Sequence, residues 1–305
     1  MGRIASAMKR AQRQRAAHRA QTAPASEATV EPQTDSAPGG SENLQEAPSL
    51  GTEWIATPPA METVETTRAA IGPEQIDGHV VACHQPGSAT AEKYRSVRTR
   101  LLTARKGRRS SIHAIASTQG GEGRSVTAAN LAFCMAELGH LRVAVVDLDF
   151  RTRGLTKMFS LAGAPGMAEA IREESGLNEI CVPAVRTNLY VVPAGELGDS
   201  AISTLLGGER LGRLFAQLHE RFHYVFIDTP PMREVSDTGL IAPRCHSVLL
   251  VVRMNCTPES YVRRSVRMIQ ANGIPIEGCI LTGERDMHIP ILCGENNDNA
   301  FGGGF

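Results

Sequence analysis

The sequence predicts a three-layer α/β domain built on a doubly wound, mostly parallel sheet, and three observations predict it. Short, near-continuous apolar runs rich in β-branched residues alternate with longer segments of helical periodicity. Several of those runs stop at aspartate, glycine or proline, the residues that punctuate strands. A glycine-rich turn also lies between the first run and a helical segment, where an open parallel sheet forms its ligand crevice.

The strand runs are 112–117 (IHAIAS), 142–147 (RVAVVD), 189–193 (LYVVP), 223–228 (HYVFID), 247–253 (SVLLVVR) and 278–282 (GCILT). Helices are expected over 125–138, 201–221 and 257–272. A further helix from residue 88 carries Tyr94, Val97, Leu101 and Leu102 at helical spacing. With 305 residues and 42% hydrophobic content, the chain can bury one sizeable core. The expected organisation is a basic helix or tail at 1–20, a disordered acidic linker at 21–80, the domain at 81–285 and a flexible tail at 286–305.

The formal net charge of +0 conceals an asymmetry. No acid precedes Glu27, whereas Arg3, Lys9, Arg10, Arg13, Arg15 and Arg19 crowd the start; from Glu27 to Asp77 Arg68 is the only base. The head reads either as a solvated tail or as a peripheral contact with anionic lipid or an acidic partner. The linker has too few large apolar residues to offset its ordering entropy. No stretch approaches the roughly 20 apolar residues of a membrane span. The 7 cysteines are odd in number and lack paired C-x-x-C spacing, which argues against a disulfide framework and a zinc site. A cytoplasmic protein at the inner face of the plasma membrane is expected, with no nucleic-acid partner.

Three strands end in residues suited to phosphate and magnesium. The first leads into Gly120, Gly121, Glu122, Gly123, Arg124, Ser125 and Val126. Glycines let backbone N–H groups converge on phosphate oxygens, the following helix N-terminus favours negative charge, and Ser125 offers a hydroxyl to Mg²⁺. The stretch departs twice from G-x-x-x-x-G-K-[ST], with Thr118 for the first glycine and Arg124 for the lysine; alone, it also fits a glycine turn without a ligand. The second strand ends Asp147, Leu148, Asp149, Phe150, Arg151, and the third ends Asp228, Thr229, Pro230, Pro231. Plain turn or capping aspartates are the alternative at each. The order of the three motifs is more specific than any one of them.

In that order, residues 88–282 resemble the bacterial tyrosine kinases, P-loop autokinases that work with polysaccharide co-polymerases in capsule and exopolysaccharide production. The resemblance rests on Ser117 through Ser125, on Asp147, Asp149 and Arg151, and on Asp228, Pro230 and Pro231. It also rests on an E-x-x-R-x-x-R signature met by Glu92, Arg95 and Arg98. It implies a P-loop NTPase fold, ATP as phosphoryl donor and Mg²⁺ held by Ser125, Asp147 and Asp228. It further implies catalytic roles for Asp147, Asp149, Arg124 and Arg151, and a homo-oligomer formed through Glu92, Arg95 and Arg98.

The chain departs from that pattern in four places. Arg124 replaces the loop lysine, Gly120 the proline, and Thr282 an asparagine common near the base. Its 4 tyrosines, at 94, 190, 224 and 261, leave the tail without any, where relatives carry an acceptor cluster. Two other readings therefore stand beside the kinase: a catalytically weakened scaffold of the same export complex, and a MinD/ParA-type positioning ATPase. No N-K-x-D stretch follows the later strands, which argues against GTP.

Overall fold

The computed structural model describes residues 64–105, 107–197, 202–233 and 236–283. The basic start, most of the acidic segment and the expected tail lie outside the described residues. Part of the segment assigned to the linker is ordered: Val64, Ile71, Ile76 and Val80 are buried. Ile71 bridges Ala184, its N–H donating to the Pro183 carbonyl at 2.8 Å. Apolar residues this widely spaced show no periodicity, so only packing against the domain reveals them.

The chain then forms α1 (Val81–His84), α2 (Ala89–Ala104), β1 (Ser111–Ser117), α3 (Arg124–Ala136) and β2 (Val143–Asp147). Three short helices follow: α4 (Gly154–Met158), α5 (Met167–Ile171) and α6 (Leu177–Ile180). They lead through β3 (Val182–Ala184) to β4 (Arg186–Val192). The remainder is α7 (Ile202–Gly207), α8 (Glu209–Arg221), β5 (Tyr224–Asp228), α9 (Asp237–Ile241), β6 (Ser247–Arg253), α10 (Glu259–Ala271) and β7 (Ile276–Thr282). All six expected strands are present. The helix expected over 201–221 is two helices, because Gly208 takes an extended conformation as the N-cap of α8.

The sheet order is β3-β4-β2-β5-β1-β6-β7, and every pairing except β3–β4 is parallel. The seventh strand, β3, reads V-P-A and pairs antiparallel at the edge, where a proline removes no ladder bond from the sheet centre. Alternate residues serve opposite faces. Ile115, Val143, Val145, Tyr224 and Phe226 pack under α1–α3, while Ile112, Ala144, Val146, Val225 and Ile227 pack against α5–α8. Each fully buried large aliphatic contributes about 1.5–3 kcal/mol, so burial on both faces explains why β2 and β5 are apolar up to their closing aspartates.

The helices follow the same logic. Ser88 caps α2 by accepting from the Ala91 N–H at 3.2 Å, and Ala91, Tyr94, Val97 and Leu101 form the buried stripe. In α8, Leu211, Leu214, Phe215 and Leu218 do so at i, i+3, i+4 and i+7. Helix α3 is buried nearly all round, since α1 and α2 cover the side that the sheet does not.

One further helix pair bears on the sequence signature. Glu92, Arg95 and Arg98 lie along α2, and both arginines reach Glu137 just past the end of α3. Arg95 donates to its two oxygens at 2.8 and 2.6 Å, and Arg98 donates at 2.8 Å. The Arg95 guanidinium holds the Glu137 carboxyl below the usual carboxylate range. The signature thus clamps α2 to α3 within the chain.

Candidate functional site

Parallel pairing brings the carboxyl ends of β1, β2 and β5 to one edge, in register: Asp147 stands opposite Asp228, and Asp228 opposite Ile115. The glycine loop leaves β1 beside them. Gly121 and Gly123 have φ of +76° and +92°, the left-handed region that a Cβ disfavours, and Gly123 is the N-cap of α3. The first turn of α3 therefore directs its leading N–H groups, which have no intrahelical acceptors, out of the loop.

Glu122, expected at the nucleotide, braces the loop with its side chain. It is buried, its Oε2 accepts from the Thr118 and Gln119 N–H groups at 2.8 and 3.1 Å, and its Oε1 accepts from the Thr257 hydroxyl. Thr282 donates its hydroxyl to the Glu122 carbonyl at 2.7 Å, and Arg253 donates to the Gly121 carbonyl at 3.2 Å. The last residues of β6 and β7, with Thr257 just beyond β6, thus hold the loop. Glu122→Ala strands two backbone donors, at about 1–3 kcal/mol for each one left buried without a partner. Urea unfolding is expected to show a loss on the order of 2–4 kcal/mol. Glu122→Gln, which keeps the acceptor oxygen, should lose much less.

Arg124 turns inward. Its side chain is 8% exposed, donating to Ser117 Oγ at 2.7 Å and to Asp149 Oδ2 at 3.1 Å. Ser125 donates to Asp228 Oδ2 at 2.5 Å. The other Asp228 oxygen and Arg124 Nε have no hydrogen-bond partner among the described residues; they face each other at 3.8 Å, beyond hydrogen-bond reach. Burial first, and then the neighbouring Asp147 charge, push the Asp228 carboxyl up to about 8.

The remaining expected residues divide between two neighbouring tasks. Asp149 organises the turn after β2, accepting from the N–H groups of Arg151 and Thr152 and from the Thr152 hydroxyl at 2.7 Å. Asp147 faces the other way: Oδ1 accepts from the Asp149 N–H, and Oδ2 accepts from the N–H and hydroxyl of Thr156 at 2.8 and 2.7 Å. Burial raises its pKa, although those hydrogen bonds oppose the rise. Arg151 reaches Asp237 in α9 at 3.2 Å, and Val126 lies within the first turn of α3, where its carbonyl accepts from Asn130. Arg124, Ser125, Asp149 and Asp228 therefore converge, Asp147 brackets them from the side, and Arg151 lies at the rim.

A buried carboxylate oxygen lacking a partner, beside a serine hydroxyl, is the hard-oxygen donor set that Mg²⁺ takes. The residues fit the ion, with Ser125 and Asp228 as the holders. Sequence reasoning did not single out Thr156, Thr257 or Asp237. Each is a common surface residue type, and only its position in the fold brings it to the site.

A model of the ParA family, described as NUBPL iron-transfer P-loop NTPase, matches residues 108–298. The tyrosine-protein kinase CpsD of Streptococcus agalactiae is 28% identical over 193 residues, covering 63% of this chain and 82% of that protein. The succinoglycan biosynthesis transport protein ExoP of Rhizobium meliloti is 31% identical over 180 residues, covering 58% of this chain and 23% of that protein. The chain spans less than a third of the length of its longer curated relatives. Among solved structures, the kinase domain of the Escherichia coli tyrosine kinase ETK superposes with a TM-score of 0.64 at 25% identity, covering 68% of this chain and 82% of that one.

Proposed function

The chain belongs to the ParA family of P-loop NTPases, and from that premise we propose that it binds ATP with Mg²⁺ and transfers the γ-phosphoryl group to protein tyrosine in exopolysaccharide or capsule production. The observation that carries the reading is the convergence of the Gly121–Gly123 turn, Ser125 and the orphaned Asp228 oxygen at the carboxyl edge of three adjacent strands. The tyrosine-kinase name of the streptococcal relative and the succinoglycan name of the rhizobial one support the choice of acceptor and process.

In this reading the N–H groups of the loop and of the first turn of α3, from Gly121 through Val126, cradle the phosphates. Ser125 and Asp228 would hold the magnesium, which would supply positive charge to offset the negative charge developing in phosphoryl transfer. Asp149, released by Arg124, accepts the proton of the incoming hydroxyl. Asp147 positions Asp149 through its backbone N–H, and Arg151 shapes the rim. Placement and charge stabilisation supply most of the rate. The protein acts on or with a membrane-borne polysaccharide co-polymerase, self-associates through the α2 surface around Glu92, Arg95 and Arg98, and attaches peripherally through its basic start. No described helix is long and apolar enough to cross a membrane.

Arg124 favours a second reading, a weakened scaffold. Its guanidinium occupies the space between Asp149 and Asp228, so cation and nucleotide must displace it. ADP release and tyrosine labelling by the full chain, with the cytoplasmic segment of a co-polymerase added, separate the two. The kinase reading expects both signals, and Arg124→Lys is expected to raise turnover about tenfold if displacing the fork accounts for about 1.4 kcal/mol of the barrier. Neither signal from either protein would end the enzymatic reading.

A further inference from the structure

The kinase reading requires an acceptor, and the fold decides which of this chain's own tyrosines can serve. Tyr94, Tyr190 and Tyr224 are 7%, 8% and 0% exposed. Tyr224 is stacked beside Phe226 with its hydroxyl 3.4 Å from the Leu101 carbonyl, and Tyr190 packs edge-on against Phe222. Phosphorylating any of them would place a dianion in the core. Tyr261 is the fourth and last tyrosine of the sequence, and it alone is partly exposed.

Its surroundings suit a phosphate. Tyr261 lies in the first turn of α10, where the aligned peptide dipoles favour negative charge. The exposed Arg233 guanidinium stacks over the ring, 4.4 Å from its centroid. Tyr261 also lines an open groove with the exposed Arg264, one helical turn on, and Arg267. A phenyl phosphate there meets up to three guanidinium groups, each able to make charge-assisted bonds to its oxygens.

The same residues connect to the nucleotide loop. Arg233 follows the Asp228-Thr229-Pro230-Pro231 turn and donates its N–H to the Thr118 carbonyl at 2.9 Å. Ser265, one turn beyond Tyr261 on α10, lies 3.2 Å from the Thr118 hydroxyl. Thr257, just ahead of α10, bonds Glu122. These contacts fix α10 in place, so Tyr261 cannot swing into the pocket of its own copy.

We propose that Tyr261 is a phosphoryl-acceptor site, modified by the nucleotide site of a second copy, and that Arg233 and Arg264 receive the phosphate. The inference rests on the kinase reading. The bond from the γ-phosphorus to the β–γ bridging oxygen breaks, ADP leaves with that electron pair, the phenolic oxygen bonds to the γ-phosphorus, and the phenolic proton passes to Asp149 of the copy that holds the nucleotide. Phosphate on Tyr261 draws the Arg233 guanidinium off the ring face and onto its oxygens.

The test uses the full chain with γ-labelled ATP and Mg²⁺, with a glutamate–tyrosine copolymer as independent acceptor. Peptide mapping is expected to place the label at Tyr261. Tyr261→Phe should cut self-labelling at least tenfold while copolymer labelling stays unchanged. In a mixture, a Tyr261→Phe donor should label an Asp228→Asn chain that retains Tyr261. Labelled copolymer with unlabelled Tyr261 overturns the inference and leaves the kinase reading standing. An Asp228→Asn chain that stays unlabelled beside an active donor overturns transfer between copies. Unlabelled copolymer together with no ADP release means that the kinase reading has failed, and the inference with it.

Discussion

Arg124→Ala is expected to lower unfolding free energy by about 3–5 kcal/mol, the range for breaking one side of a buried ion pair. The guanidinium is the only cationic group bonded to Asp149 among the described residues, and it faces the orphaned Asp228 oxygen. Without it Asp149 keeps its bonds to Thr152 and to the turn N–H groups but loses its counter-charge. Urea unfolding measures the loss. Magnesium added without nucleotide should recover part of it in the alanine variant and little in the parent, because only the variant leaves the space free for a cation. A variant as stable as the parent would mean that Arg124 spends its time outside the pocket, and the displacement argument would fail with it.

Asp228→Asn is expected to cut Mg²⁺-dependent ADP release by a factor on the order of 10² or more, since it removes the anionic oxygen beside Ser125. It should at the same time stabilise the metal-free protein at alkaline pH. The Asp228 carboxyl is pushed up to about 8 in the folded chain, while an unfolded aspartate titrates near 4. As pH rises between those values the unfolded chain gives up its proton and the folded chain retains its own, so stability falls across that window. Asparagine has no proton to lose, and its oxygen still accepts from Ser125. Thermal unfolding at pH 5.5 and 8 should therefore show a pH-dependent decline in the parent that is smaller in the variant. Parallel declines in both would locate the titration elsewhere.

Much of this site is legible in the primary structure because its parts are local. Gly121 and Gly123 announce a loop that no residue with a Cβ adopts easily. The strand before each aspartate is recognisable because both of its faces are buried and every position is apolar. The small elements are less visible. β3 is three residues with a proline inside, and the break between α7 and α8 shows only as two adjacent glycines. Residues 64–80 look like tether by composition, yet Val64, Ile71, Ile76 and Val80 are buried.

Residue order alone established the strand–loop–helix chemistry: which strands run through the core, where backbone N–H groups converge, and that Asp147 and Asp228 end such strands with Asp149 just beyond. Side-chain direction came from the fold. That Asp147 turns to Thr156 while Asp228 keeps an unpartnered oxygen, that Glu122 braces its own loop, and that Tyr261 alone of four tyrosines reaches solvent are results of long-range packing. The physical reason is range. Propensity, periodicity and turn chemistry act over a few residues, whereas a buried charge takes its partner from whichever distant strand the sheet places beside it, as β1, β2 and β5 do here.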